Sequence, residues 1–149
     1  MQLSEHFSLE EATFSEAAAR HNIQNTPGDA ELANMKEAAK SLEKVRDIVG
    51  KPITINSWFR SKEVNKAVGG SQTSAHCLGW AIDTRVTGMT PLELCKIVAK
   101  SGLKFDQIIH EYGSWMHISF DPKYRGQLLT KFDGDYKPGL LTKEEYTKA

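Results

Sequence analysis

The hydrophobic pattern of this chain changes period after its first third, and that change limits the folds open to it. Behind Thr26-Pro27-Gly28-Asp29, apolar residues recur at mostly helical spacing (Leu32, Met35, Ala39, Leu42, Val45, Val49), and Gly50 closes the run. From Pro52 to Phe59 the pattern alternates and is β-branched, as a strand requires. Ser8-Leu9-Glu10-Glu11 forms a capping box that predicts a helix from about Leu9 to His21. A short helix is expected over 61–68, stopped by Gly69-Gly70, and a second strand over 79–86. Thr90-Pro91-Leu92-Glu93 opens another helix, with proline at its first position, that runs to about Lys100. Residues 105–112 and 115–120 read as a hairpin turning near Gly113. The expected class is α+β: N-terminal helices packed on a small antiparallel sheet.

The 149 residues amount to one domain. We assign residues 1–126 to it and 127–149 to a C-terminal tail, the part expected to be most mobile, with one short helix after Thr142. Nineteen basic and nineteen acidic residues cancel, so no overall field draws the chain to nucleic acid or to a membrane surface. No stretch approaches the ~20 apolar residues of a membrane span, and the first residues lack the pattern of a secretory signal. Synthesis in the cytoplasm as a monomer is the expectation. Two cysteines are too few for a disulfide framework. Cys95 reads as a buried thiol. Cys77 neighbours His76, but adjacent side chains on an extended chain point to opposite sides.

The chemistry concentrates in Ser74-Ala75-His76-Cys77-Leu78-Gly79-Trp80-Ala81-Ile82-Asp83 and in Trp115-Met116-His117-Ile118-Ser119. Two neutral imidazoles and one carboxylate fill three positions of a tetrahedral zinc ion and leave the fourth open to water, as in hydrolytic sites. Strand alternation lets them converge. If Trp80 and Ile82 join the core, Asp83 turns to the groove side; if Met116, Ile118 and Phe120 join the core, His117 turns to the groove side as well. His76 arrives from the polar loop before the strand. Each residue alone has a plainer explanation, a hydrogen-bonded histidine or a paired aspartate. The spacing Ser-x-His-x6-Asp, followed later by Trp-x-His, is far more specific than its parts.

These segments resemble the zinc peptidases of the D-Ala-D-Ala carboxypeptidase type, which include phage endolysins and share a fold with the hedgehog signalling domain. The likeness runs from about Leu3 to Phe120. It takes in Ile55-Asn56-Ser57-Trp58-Phe59-Arg60-Ser61, Val64-Asn65-Lys66-Ala67-Val68-Gly69-Gly70-Ser71 and Phe105-Asp106-Gln107-Ile108-Ile109. The resemblance implies one Zn2+ held by His76, Asp83 and His117, with Arg60 binding substrate and Gln72 and Ser74 lining the approach. It implies peptidoglycan stem peptides as substrate and action on the cell wall after phage-type release. Arg60 could instead form a surface ion pair with Glu63, and Ser74 could bond its own backbone. Trp115 stands on the groove face as a candidate substrate contact, although tryptophans commonly fill cores.

The general base is less direct. Many relatives carry an acid three positions before the last histidine, where this chain has Ser114. Hairpin register then decides between two substitutes. A three-residue loop, Tyr112-Gly113-Ser114, sets Glu111 opposite Trp115 on the face of His117. A two-residue loop puts His110 there instead. The resemblance favours Glu111. Within the enzyme class, trimming of a terminal D-Ala and cleavage inside the stem after L-Ala both remain open. The rival class is a non-catalytic zinc domain that binds wall peptides.

Overall fold

The computed structural model describes residues 1–71 and 73–149. Its centre is a six-stranded sheet in the order β1-β2-β4-β3-β5-β6, formed by Thr54–Ser57 (β1), Ala81–Arg85 (β2), Gln107–Glu111 (β3), Trp115–Ser119 (β4), Gln127–Lys131 (β5) and Lys137–Pro138 (β6). All pairings are antiparallel except β3 with β5. Helices α1 (Leu9–Thr13), α2 (Glu16–Arg20) and α3 (Asp29–Val49) precede the sheet. By contrast, α4 (Lys62–Ala67), α5 (Pro91–Lys100) and α6 (Lys143–Lys148) lie between or after the strands. The class is α+β as expected, but the helices are not gathered at the N-terminus.

Register explains the two-faced sheet. Ile82, Ile118, Ile108 and Leu128 align across β2, β4, β3 and β5, and together they meet the apolar faces of the helices. Met35, Ala38, Ala39, Leu42 and Val45 of α3, with Leu94, Cys95 and Val98 of α5, complete this core. Each large side chain buried here contributes about 1.5–3 kcal/mol. The row that alternates with it, Asp83, His117, Ile109 and Leu129, faces the other way.

Three local differences from the sequence pattern have physical causes. The expected single helix over 9–21 breaks at Phe14, because the Ser15 hydroxyl accepts from Ala18 N and starts a new helix. Residues 75–78 form one 3₁₀ turn instead of the end of a loop, too short for any periodicity to announce. Residues 127–131 and 137–138 are strands, where only a helix after Thr142 was expected of this segment. Asp106 fixes the first of these: its carboxylate accepts from the Arg125 backbone and, through both oxygens, from the guanidinium, and its carbonyl accepts from Gln127 N. That clamp holds the Asp106 carboxyl below the usual range, chiefly through Arg125, and starts β5 in register beside β3.

Candidate metal centre

Four elements deliver the site. Trp58, fully buried, donates its indole N–H to Gly79 O at 2.8 Å, tying the end of β1 to the 3₁₀ turn. The Trp58 carbonyl in turn accepts from His76 Nδ1 at 2.7 Å. That bond assigns the proton to Nδ1 and leaves the Nε2 lone pair facing Asp83 Oδ2 at 3.4 Å. Asp83 comes from β2 and His117 from its register partner on β4, with Nδ1 3.0 Å from Asp83 Oδ1. The two imidazoles stand edge-on, centroids 5.2 Å apart. One donor atom from each of His76, Asp83 and His117 lies within 4.8 Å of the others, and all three residues are buried.

This arrangement fits a cation. Burial holds the His76 imidazole below its ordinary pKa, in its neutral form, so its lone pair points at a carboxylate that is itself an acceptor. Asp83 is ionised: burial opposes its charge, but the two histidines overcome that and hold its carboxyl well below the usual range. Burial also opposes a charge on His117, yet Asp83 and Glu111 draw it upward. Two acceptors face each other and a third group is pulled toward positive charge. A metal ion supplies that charge without a proton. A donor set of two imidazoles with one carboxylate suits zinc.

The hairpin settles the choice left by its two possible loops. Glu111 pairs with Trp115 and Ile109 with His117, so the loop has three residues, with Tyr112 and Gly113 both at positive φ. Glu111 Oε1 is 3.6 Å from His117 Nδ1. Burial, partly offset by His117, raises its pKa and makes it a stronger base than an ordinary glutamate. His110 turns to the opposite face, where its ring meets Phe132 and its Nδ1 donates to Leu141 O at 3.0 Å. His110 is therefore no part of the site.

Arg60 points inward, and Glu63 is not its partner. Its guanidinium reaches Asp83 Oδ2 at 3.3 Å, Ser57 Oγ at 3.3 Å and Asn65 Oδ1 at 3.4 Å. Asn25 bridges the carbonyls of Thr13 and Phe59 and accepts from Ser61 N, which fixes the backbone on both sides of Arg60. Ser74 lines the groove while its hydroxyl accepts from His76 N at 3.2 Å as the cap of the 3₁₀ turn. Trp115 lies on the groove wall against Tyr112, centroids 5.6 Å apart, with its Nε1 buried and unpaired among the described residues. Gln72 lies outside the described residues. Cys77 is not among the converging donors, and burial pushes the fully buried Cys95 thiol up, out of reach of reaction.

The residues missed at the sequence level are of two kinds. Ser57, Asn65 and the Trp58 carbonyl sit within segments that carry the resemblance, where the resemblance gave no roles beyond that of Arg60. Lys131 and Tyr136 lie in the segment read as a tail; Gln127-Leu128-Leu129-Thr130-Lys131 shows no clean alternation to mark a strand. The open groove, roughly 640 Å³, runs from Arg60 and the loop before His76, across the sheet face, to Lys131 and Tyr136.

Comparison with known proteins agrees with this geometry. Curated proteins give no match, but the family model for Peptidase M15 matches residues 5–119. That span contains the three converging donors, Arg60 and Glu111, and peptidases of this family are metal-dependent, typically on zinc. A buried pair of imidazoles and a carboxylate opening on a groove, inside a match of that length, has one interpretation: the chain belongs to the M15 peptidases and is a metallopeptidase.

Proposed function

We propose that this peptidase hydrolyses peptide bonds in peptidoglycan stem peptides, with one Zn2+ held by His76, Asp83 and His117. The observation that carries the reading is the position of Glu111, on the same sheet face as His117 and 3.6 Å from its Nδ1. When bound, zinc supplies a Lewis acid that makes a water more acidic and polarises a carbonyl. Glu111 accepts the proton of the attacking water and returns it to the leaving amine. The guanidinium of Arg60, already steered by Ser57 and Asn65, steadies the carbonyl oxygen as negative charge develops on it. Ser74 and Trp115 line the approach, as does Gln72 on the strength of the resemblance. The groove continues on both sides of the donors, which supports a cut within the stem over removal of a terminal D-Ala. Acting on the wall after release from the cell belongs to the same proposal.

The test pairs two variants. His117→Ala is expected to lose both zinc, measured by elemental analysis, and the release of peptides from purified murein. Glu111→Gln is expected to keep zinc at wild-type stoichiometry while turnover falls by at least about 100-fold, the scale of general-base catalysis. Murein release by His117→Ala at the wild-type rate would refute the metal assignment. Full activity in Glu111→Gln would remove Glu111 from the role of base. Mass spectrometry of the released fragments identifies the bond cut.

A further inference from the structure

The groove does not end at the catalytic residues. Its far wall is β5, which lies outside residues 5–119 matched by the family, and the residue of β5 that sits beside the base is a lysine. Lys131 is the register partner of Glu111 in the parallel pair, so both side chains leave the sheet on the groove face about 4.8 Å apart at the backbone. Its ammonium group meets phenols, not a carboxylate. Nζ lies 3.4 Å from Tyr136 Oη and 4.5 Å from the Tyr136 ring centroid. Tyr112, from the hairpin turn, lines the same groove; burial alone would lower the pKa of Lys131, yet Tyr136 and Tyr112 raise it, keeping the charge. If Lys131 existed to pair with Glu111, the two would bridge; the Glu111 carboxylate turns to His117 instead.

A half-buried cation held against the Tyr136 ring, with no carboxylate bridged to it among the described residues, suits an anion entering the groove. We propose that Lys131, steered by Tyr112 and Tyr136, is a specificity-determining residue that binds a free carboxylate of the substrate peptide. Two strand spacings, about 10 Å, separate β5 from the His117 strand, which is about three residues of extended peptide. The carboxylate therefore lies within about three residues of the bond cut. In a stem peptide this matches the α-carboxylate left free on a glutamate linked through its side chain. The inference rests on the stem-peptide reading above, and it adds the element that reads the substrate's charge.

The experiment uses the zinc-loaded full chain and two synthetic stem pentapeptides, L-Ala-γ-D-Glu-L-Lys-D-Ala-D-Ala and the same peptide with the glutamate α-carboxylate amidated. Cleavage kinetics and calorimetric binding are both measured, for the wild type, Lys131→Met and Lys131→Arg. The wild type is expected to prefer the free carboxylate by at least about tenfold in kcat/KM, through KM. Lys131→Met is expected to lose that preference, its kcat/KM falling by at least about tenfold more on the acidic peptide than on the amidated one, and Lys131→Arg to keep most of it. No preference in the wild type, or an undiminished one in Lys131→Met, overturns the proposal. An equal fall in kcat on both peptides also overturns it, because Lys131 would then act through Glu111. If neither peptide is cleaved but the acidic one binds in a Lys131-dependent way, the carboxylate site stands and stem-peptide hydrolysis falls. If neither is bound, both fall.

Discussion

At the scale of single residues, the site depends on directional side chains held by neighbours that do no chemistry. Arg60 shows this well: three acceptors on three different elements, Ser57, Asn65 and Asp83, fix one guanidinium. A lysine at the same position keeps the charge but has no planar fork to satisfy them together. Arg60→Lys is therefore expected to retain zinc while kcat/KM on murein peptides falls roughly 10–100-fold, the value of one or two charge-assisted hydrogen bonds. Wild-type kcat/KM in that variant would show that Arg60 only balances the charge of Asp83. Much of this was legible in the chain itself. Alternation places Asp83 and His117 on one face because Ile82, Met116 and Ile118 need the core. The two possible hairpin loops left Glu111 or His110 as the candidate base, and register in the folded sheet puts Glu111 on the face of His117. The partners of Arg60 were not legible, since a hydrogen bond between residues 5 or 23 positions apart leaves no periodicity.

At the scale of elements, the 3₁₀ turn over Ala75–Leu78 carries His76, and its exit decides where that ring sits. Gly79 leaves the turn at φ +87° beneath α3. A Cβ there would come within 2.7 Å of Met35 Cγ and 2.8 Å of the Glu31 carbonyl, and the backbone carbonyl of α3 cannot yield as a side chain can. The same glycine offers its carbonyl to Trp58, whose own carbonyl orients His76. Left-handed strain and overpacking together give about 2–4 kcal/mol for Gly79→Ala. Thermal melting is expected to drop by about 6–12 °C, and zinc affinity with it, because the turn must lift away from α3 and carry His76 along. Unchanged melting and zinc content would show that the turn is not pinned by this contact. The long helix α3 and the helix α5 were readable from their caps and apolar spacing. A four-residue turn is beneath the length at which spacing can speak, and only the glycine hinted at it.

At the scale of the whole molecule, the segment after residue 126 is bound into the sheet instead of trailing from it. β5 lies along the full length of β3, so without it the backbone of β3 would be an open edge beside Glu111. The last helix fastens this addition: Tyr146 is 2% exposed, and its hydroxyl shares its one proton between two acceptors in reach, Asp133 Oδ1 and the Asp135 carbonyl. Lys137 Nζ donates to the Tyr146 carbonyl at 2.8 Å while lying 4.3 Å from the centre of its ring. From the other side, His110 donates to the carbonyl of Leu141. A chain ending at residue 126 loses all of these contacts, uncovers Ile109 and leaves His110 without its acceptor. Total stability for a domain of this size is only about 5–15 kcal/mol, and removing a buried aromatic anchor alone costs about 3–5 kcal/mol. The shortened chain is therefore expected to aggregate, or to melt at least about 10 °C below the intact one, even though it retains every residue matched by the family. Light scattering and thermal melting of the two chains side by side test this. A soluble shortened chain with unchanged melting, zinc content and murein release would mean that β3 needs no cover, and that the groove wall carrying Lys131 is an appendage and no part of the working fold.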